Sequence, residues 1–193
     1  MRTSDVDIVI VPGWGDSGPD HWQSRWQRNL KTARRAVQSD WHAPRLVDWI
    51  AGVERAVMTS TRPAVIVAHS LGVATLVHAA PRLAASGHVA GAFLVGPADL
   101  DSRASWPTPD AGPWPAGIAE FAPMPTVPLP FPARLIASAT DPFCTIERAQ
   151  ALGAAWAADV SVIADAGHIN TDSGHGPWPE GLLTFGMFLR RLG

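Results

Sequence analysis

The sequence contains no tyrosine and only one cysteine, Cys144, among its 193 residues. A lone thiol cannot close an internal disulfide, so a packed core must hold the fold, and a reducing compartment, the cytoplasm, is the expected location. Neither sign of charge is in excess: 15 Lys+Arg against 17 Asp+Glu leave a net charge of −2. That balance excludes the basic footprint of a chain that binds nucleic acid or an anionic membrane surface. Long apolar runs are also missing. The polar start Met1-Arg2-Thr3-Ser4-Asp5 leads into only a few apolar residues before Pro12, too few for a secretory leader or for a membrane span of about 20 residues. With tyrosine absent, the aromatic bulk falls on nine tryptophans. Trp22, Trp26 and Trp49 sit in helical stretches and are expected to pack, because base stacking would call for interleaved basic residues. At 47% hydrophobic residues, the chain can fill the core of one domain spanning 1–193.

Apolar runs that read as buried strands alternate with stretches of helical period. Strands are expected near 6–11, 35–38, 64–68, 91–95, 133–138 and 160–163, and helices near 21–31, 46–60, 71–85, 146–157 and 180–191. This alternation predicts an α/β fold, a three-layer sandwich of about six parallel strands in the order 2-1-3-4-5-6 with helices on both faces and no full cap domain. In that order the winding reverses between the first and third strands, and open α/β sheets bind ligands in the crevice at such a reversal. One segment breaks the pattern. From Gly96 to Pro132, ten of 37 residues are proline, which argues against regular helix or central strand. Because 96–132 follows the C-terminal end of a strand, it is expected to be a loop lining the ligand side.

The apolar run Ala64-Val65-Ile66-Val67 passes directly into Ala68-His69-Ser70-Leu71-Gly72 and then into an alanine- and leucine-rich stretch. Strand, sharp turn and helix around a serine form the setting of a nucleophile elbow. A hydroxyl nucleophile needs a base, and the base needs an acid to fix its tautomer. Downstream, Ala133 to Ala137 leads to Asp141-Pro142, where proline stops the strand, and Val160 to Ile163 leads to Asp165-Ala166-Gly167-His168. Ser70 as nucleophile, Asp141 as acid and His168 as base follow the chain order of α/β-hydrolases, each just past a strand end. Asp99 and Asp101, past the fourth strand, are alternative acids.

An oxyanion requires two backbone donors. Leu71 N–H follows the nucleophile, and Trp14 N–H lies in the glycine loop 13–18 after the first strand. That loop lacks the Gly-Lys-Ser/Thr ending of a phosphate cradle and the spacing of a dinucleotide fingerprint, so no cofactor is expected. His168, Asp172 and His175 fit no strong metal spacing, and a base held by a metal could not serve Ser70, so no metal is expected. His69 reads as a packed, hydrogen-bonded histidine; His21, after the glycine loop, is left open between a purely structural role and a brace of that loop through its ring nitrogens, and both are candidates for the layer behind the catalytic residues. The blander uses of these residues are helix capping for Ser70 and Asp141, and a buried inert thiol for Cys144.

Taken together, these residues resemble the small single-domain α/β-hydrolases that include retinoblastoma-binding protein nine and its YdeN-like bacterial relatives, a family of serine hydrolases and esterases. The likeness runs through Pro12-Gly13-Trp14-Gly15, Asp20-His21-Trp22, the Ser70 elbow, Leu94-Val95-Gly96-Pro97-Ala98-Asp99, Leu129-Pro130-Phe131-Pro132, Asp141-Pro142-Phe143-Cys144, Gly167-His168-Ile169-Asn170 and Gly176-Pro177-Trp178-Pro179-Glu180-Gly181. It implies a lid-poor sheet of six parallel strands and a triad on Ser70, Asp141 and His168. The departure is Ala68 in place of the first elbow glycine, one added methyl that close packing should tolerate. The expected activity is hydrolysis of a small carboxylic ester through an acyl-enzyme. Amide or thioester cleavage by the same triad, or a non-catalytic scaffold on the same fold, are the alternatives. The expected partner is a small-molecule acyl substrate, with no nucleic acid and no membrane.

Overall fold

The computed structural model describes residues 1–103, 106–108 and 112–193. Six parallel strands, β1 (Asp7–Val11), β2 (Ala33–Arg35), β3 (Ala64–Ser70), β4 (Val89–Pro97), β5 (Ala133–Ser138) and β6 (Asp159–Ile163), form one sheet in the order β2-β1-β3-β4-β5-β6. The helices are α1 (Trp22–Asn29), α2 (Leu46–Met58), α3 (Leu71–Ser86), α4 (Ile146–Ala155) and α5 (Pro179–Arg191). Strand side chains point alternately to opposite faces, and the central strands split their apolar residues accordingly. Val9, Ile66, Leu94 and Leu135 pack with Trp49, Leu76 and Leu152 from α2, α3 and α4. Ile8, Ile10, Val65, Val67 and Phe93 pack with Trp22, Trp26, Phe185 and Phe188 from α1 and α5. Both faces are thus covered, which is why the strands read as unbroken apolar runs rather than alternating ones. Truncating a fully buried side chain here, such as Ile66, to alanine would cost about 2–5 kcal/mol.

The predicted fold class and strand order are those observed. The expected tryptophan packing also holds: Trp22 and Trp49 are fully buried and Trp26 nearly so. The main displacement is β2, expected at 35–38 and found at Ala33–Arg35. It is an edge strand, paired only with β1 through Ile8↔Ala33, Val9↔Arg34 and Ile10↔Arg35. With one open side it needs no apolar run, and Val37, within the expected span, lies exposed in solvent. Within the proline-rich segment the described residues include a 3-10 helix over Ala116–Phe121, whose Ile118 and Phe121 are buried. Among the described residues, no helix is long and apolar enough to cross a membrane.

Candidate active site

β3 hands over to α3 with no intervening loop, and the junction is Ser70, at φ 55° and ψ −125°. A non-glycine residue holds such a conformation only when its surroundings enforce it, at a cost of about 1–3 kcal/mol. The surroundings are tight. A Cβ on Gly72 would lie 2.4 Å from the Val11 carbonyl oxygen and 2.5 Å from that of Pro12, and one on Gly13 would lie 2.8 Å from the Ser70 Cβ. Glycine at these two positions lets the end of β1 close against the elbow. Ala68, the departure from the elbow pattern, is fully buried and its methyl packs in the core on the α3 face. Ser70 occupies the N-cap position of α3 but makes no capping bond. Its Oγ instead meets His168 Nε2 at 2.8 Å.

His168 Nδ1 lies 2.9 Å from each carboxylate oxygen of Asp141, and Asp141 Oδ1 also accepts the Phe143 N–H at 2.9 Å. A carboxylate only accepts, so this network assigns the imidazole proton to Nδ1 and leaves the Nε2 lone pair facing the Ser70 hydroxyl. The Asp141 side chain is 2% exposed and that of His168 8%, so water competes little for these contacts. Asp99 and Asp101 are committed elsewhere, both to Arg148: Asp99 Oδ1 accepts from Arg148 Nε at 3.1 Å, and Asp101 pairs with Nη2. Nor does Asp141 cap α4, whose N-cap is Thr145, accepting the Arg148 N–H at 3.2 Å.

The glycine loop is pinned from outside. Gly15 N–H donates to the Trp41 carbonyl at 2.9 Å, Trp14 Nε1–H donates to the His42 carbonyl at 3.0 Å, and Arg35 pairs with Asp16. The Trp14 backbone N–H makes no hydrogen bond among the described residues, and Leu71 N–H, at the first position of α3, has no acceptor within the helix. Both residues line one cavity of about 270 Å³ together with Gly13, Ser70 and His168. Its apolar wall includes Trp106, Trp114, Ile118 and Phe143. The rings meet edge to face, Trp14 with Trp114 at 4.9 Å and Trp106 with Phe143 at 5.5 Å, and Phe143 lies 4.4 Å from the His168 ring. Trp106, Trp114 and Ile118 come from the proline-rich segment, which therefore lines the cavity; residues 104–105 and 109–111 of that segment lie outside the described residues.

Sequence reasoning overlooked Gln23. Fully buried, it donates from Nε2 to the carbonyls of Val11 and Val67, both at 3.2 Å, and accepts from Ser17 Oγ at 2.7 Å. It thereby bridges the ends of β1 and β3 beneath the glycine loop and the elbow. The available signal was its position three residues before buried Trp26, which puts a polar amide on the apolar face of α1. Trp22 Nε1–H donates to the Ile169 carbonyl at 2.8 Å, holding the loop that carries His168.

His21 does not brace the glycine loop through its ring. It caps α1, its Nδ1 accepting the Gln23 N–H at 3.1 Å. Burial, with the Arg35 charge second, pushes its pKa down to about 4. His69 is buried at the cavity wall, and burial, followed by the nearby His168, holds it well below the ordinary histidine range. Both rings are therefore neutral at pH 7. Cys144 is buried and its thiol is pushed up to about 12, by burial first and then by Asp99 and Asp141. Among the described residues, no group of three or more His, Cys, Asp and Glu side chains is arranged to hold a metal ion.

A serine hydrolase family profile matches residues 8–187, nearly the whole chain. The chain belongs to the serine hydrolase family. The hydrolase superimposes on a protein from Pectobacterium atrosepticum described as YdeN-like, with 29% identity, a TM-score of 0.84 and coverage of 98% of this chain and 94% of that one. It shares the fold of the ydeN product of B. subtilis, at 19% identity, TM-score 0.70 and coverage of 94% and 98%. The same holds for an esterase domain from Rhodothermus marinus, at 18% identity, TM-score 0.67 and coverage of 96% and 87%. A search of curated proteins returned no match. The resemblance read from the motifs, to YdeN-like serine hydrolases, is thus the family of this hydrolase.

Proposed function

We propose that the hydrolase cleaves small carboxylic esters through an acyl-enzyme on Ser70. The observation that carries this reading is the continuous set of contacts from Ser70 Oγ to His168 Nε2 at 2.8 Å and from His168 Nδ1 to Asp141 at 2.9 Å. Ser70 Oγ attacks the ester carbonyl carbon while its proton passes to His168 Nε2, and Asp141 stabilises the imidazolium that forms. The carbonyl oxygen becomes an oxyanion, and the Leu71 and Trp14 N–H groups are its donors. Collapse breaks the bond to the alcohol, which leaves with the proton from His168. Water then attacks the acyl-enzyme, giving its proton to His168, and the second tetrahedral species returns Ser70 and a carboxylic acid.

The cavity of about 270 Å³ with its indole and phenyl wall supports a short apolar acyl group. The test is a panel of p-nitrophenyl acetate, butyrate and dodecanoate, set beside the p-nitroanilide and thioester of the same short acid. Acetate and butyrate should be cleaved with higher kcat/KM than dodecanoate, and Ser70→Ala should abolish turnover. Faster turnover of the anilide or thioester would refute ester specificity, and no turnover of any acyl substrate by folded protein would favour a scaffold role.

A further inference from the structure

The residue before the nucleophile touches the residue proposed as base, but through the backbone. His69 Nε2 lies 2.8 Å from the carbonyl oxygen of His168. A carbonyl can only accept, so Nε2 carries the proton and the ring is the neutral Nε2–H tautomer. Meanwhile the His168 side chain returns to Ser70, the next residue along the chain from His69. The two hydrogen bonds and the 69–70 peptide close a small ring in which the backbone and the imidazole of His168 are both referenced to the end of β3.

The space around that bond is kept clear by a second residue. Gly96 has φ +50°, and a Cβ there would lie 3.2 Å from the His168 carbonyl oxygen, 3.5 Å from His69 Nε2 and 3.5 Å from Asp141 Oδ2. A side chain at 96 would crowd the His168 carbonyl oxygen, the acceptor of the bond, and lie in contact with the donor and with the carboxylate behind the base. The His69 ring also stands 4.8 Å from the His168 ring and 5.1 Å from the His21 ring. The facing charged and titratable groups are therefore His168, His21, the more distant His175, and Asp141 across Gly96.

We propose that His69 is a positioning residue of the catalytic apparatus: its Nε2–H holds the His168 backbone so that the imidazole stays aligned between Asp141 and Ser70. The inference rests on the Ser70 esterase reading. Its signature is chemical rather than volumetric. A side chain that keeps a donor at the Nε2 position should preserve function, and one of similar polarity whose donor falls short should not. Glutamine reaches about as far as histidine Nε2, whereas asparagine ends near the Nδ1 position. Losing the bond leaves the base free to shift, and a misplacement of about 1 Å can lower turnover by on the order of 100-fold.

The experiment compares His69→Gln, His69→Asn and His69→Leu with wild type, using circular dichroism and thermal melting, p-nitrophenyl butyrate kinetics, and the rate of fluorophosphonate labelling of Ser70. His69→Gln should keep kcat within a few-fold, while His69→Asn and His69→Leu lose about 10- to 100-fold in kcat and in labelling rate with KM little changed. Equal kcat in folded Gln and Asn variants, or a loss confined to KM, overturns the proposal. Should His69→Leu fail to fold, the Gln and Asn pair still decides. An unlabelled, inactive wild type defeats the esterase reading and this one with it; an active wild type with indifferent variants defeats only this one.

Discussion

Acidification should destabilise this protein well above the range in which carboxylates titrate, because two neutral histidines are buried beneath the active site. In the fold His21 has a pKa of about 4 against an ordinary 6.5, and His69 is lowered in the same direction. Above about pH 6.5 neither histidine binds a proton in the folded or the unfolded chain, so their contribution is fully present. As the pH falls from 6.5 towards 4, the unfolded chain takes up protons that the fold refuses, and stability declines. For His21 the difference between 6.5 and about 4, at about 1.4 kcal/mol per pH unit, amounts to roughly 3 kcal/mol. His69, lowered in the same direction, steepens the decline further, so the two together weigh heavily against a total stability of about 5–15 kcal/mol. Asp7, whose carboxyl is lowered from 3.8, acts below this window. Nine tryptophans and no tyrosine make indole fluorescence a clean reporter of urea unfolding between pH 7 and 4.5. In His21→Asn the asparagine can still cap α1, and the slope of stability against pH should fall to about half. A flat profile across that window, or the same slope in His21→Asn, would show that the buried histidines do not set the acid stability.

Three further outcomes follow from the geometry. Asp141→Asn should fold but lose about 10³- to 10⁴-fold in kcat, since an amide N–H facing His168 Nδ1 favours the wrong tautomer; steady-state kinetics on p-nitrophenyl butyrate measures it. Gly72→Ala should destabilise by about 3 kcal/mol or more, because the new methyl would sit 2.4 Å from the Val11 carbonyl oxygen in a region of backbone that cannot give way; urea melts of this variant test it. Cys144, with its thiol pushed up to about 12 and the residue 4% exposed, should resist an aromatic disulfide reagent at pH 8 in the folded protein and react with one equivalent in urea.

The fold was legible because its strands are buried on both faces and so announce themselves as apolar runs. β2 was misplaced because an edge strand with Arg34 and Arg35 in it carries no such mark. The proposed triad residues stood out because each stands at or past the end of a strand, within two residues of a proline or a glycine, and the structure brings all three into hydrogen-bonding contact. What the pattern did not reveal were the partners of buried polar groups. Nothing local in the sequence says that Gln23 reaches the ends of two strands, that Trp22 holds the Ile169 carbonyl, or that Asp99 and Asp101 face Arg148 rather than His168. Those pairings depend on how α1, α4 and the loops pack over the sheet, a long-range property that periodicity and spacing do not encode.

Whether Ser70 is an activated nucleophile is read most directly by intact-mass analysis after treatment with a fluorophosphonate, comparing the native hydrolase with Ser70→Ala and His168→Ala. A single stoichiometric adduct should map to Ser70, disappear in Ser70→Ala and form far more slowly in His168→Ala. Folded native protein that takes up no adduct, or an adduct that persists in Ser70→Ala, would contradict that role of Ser70.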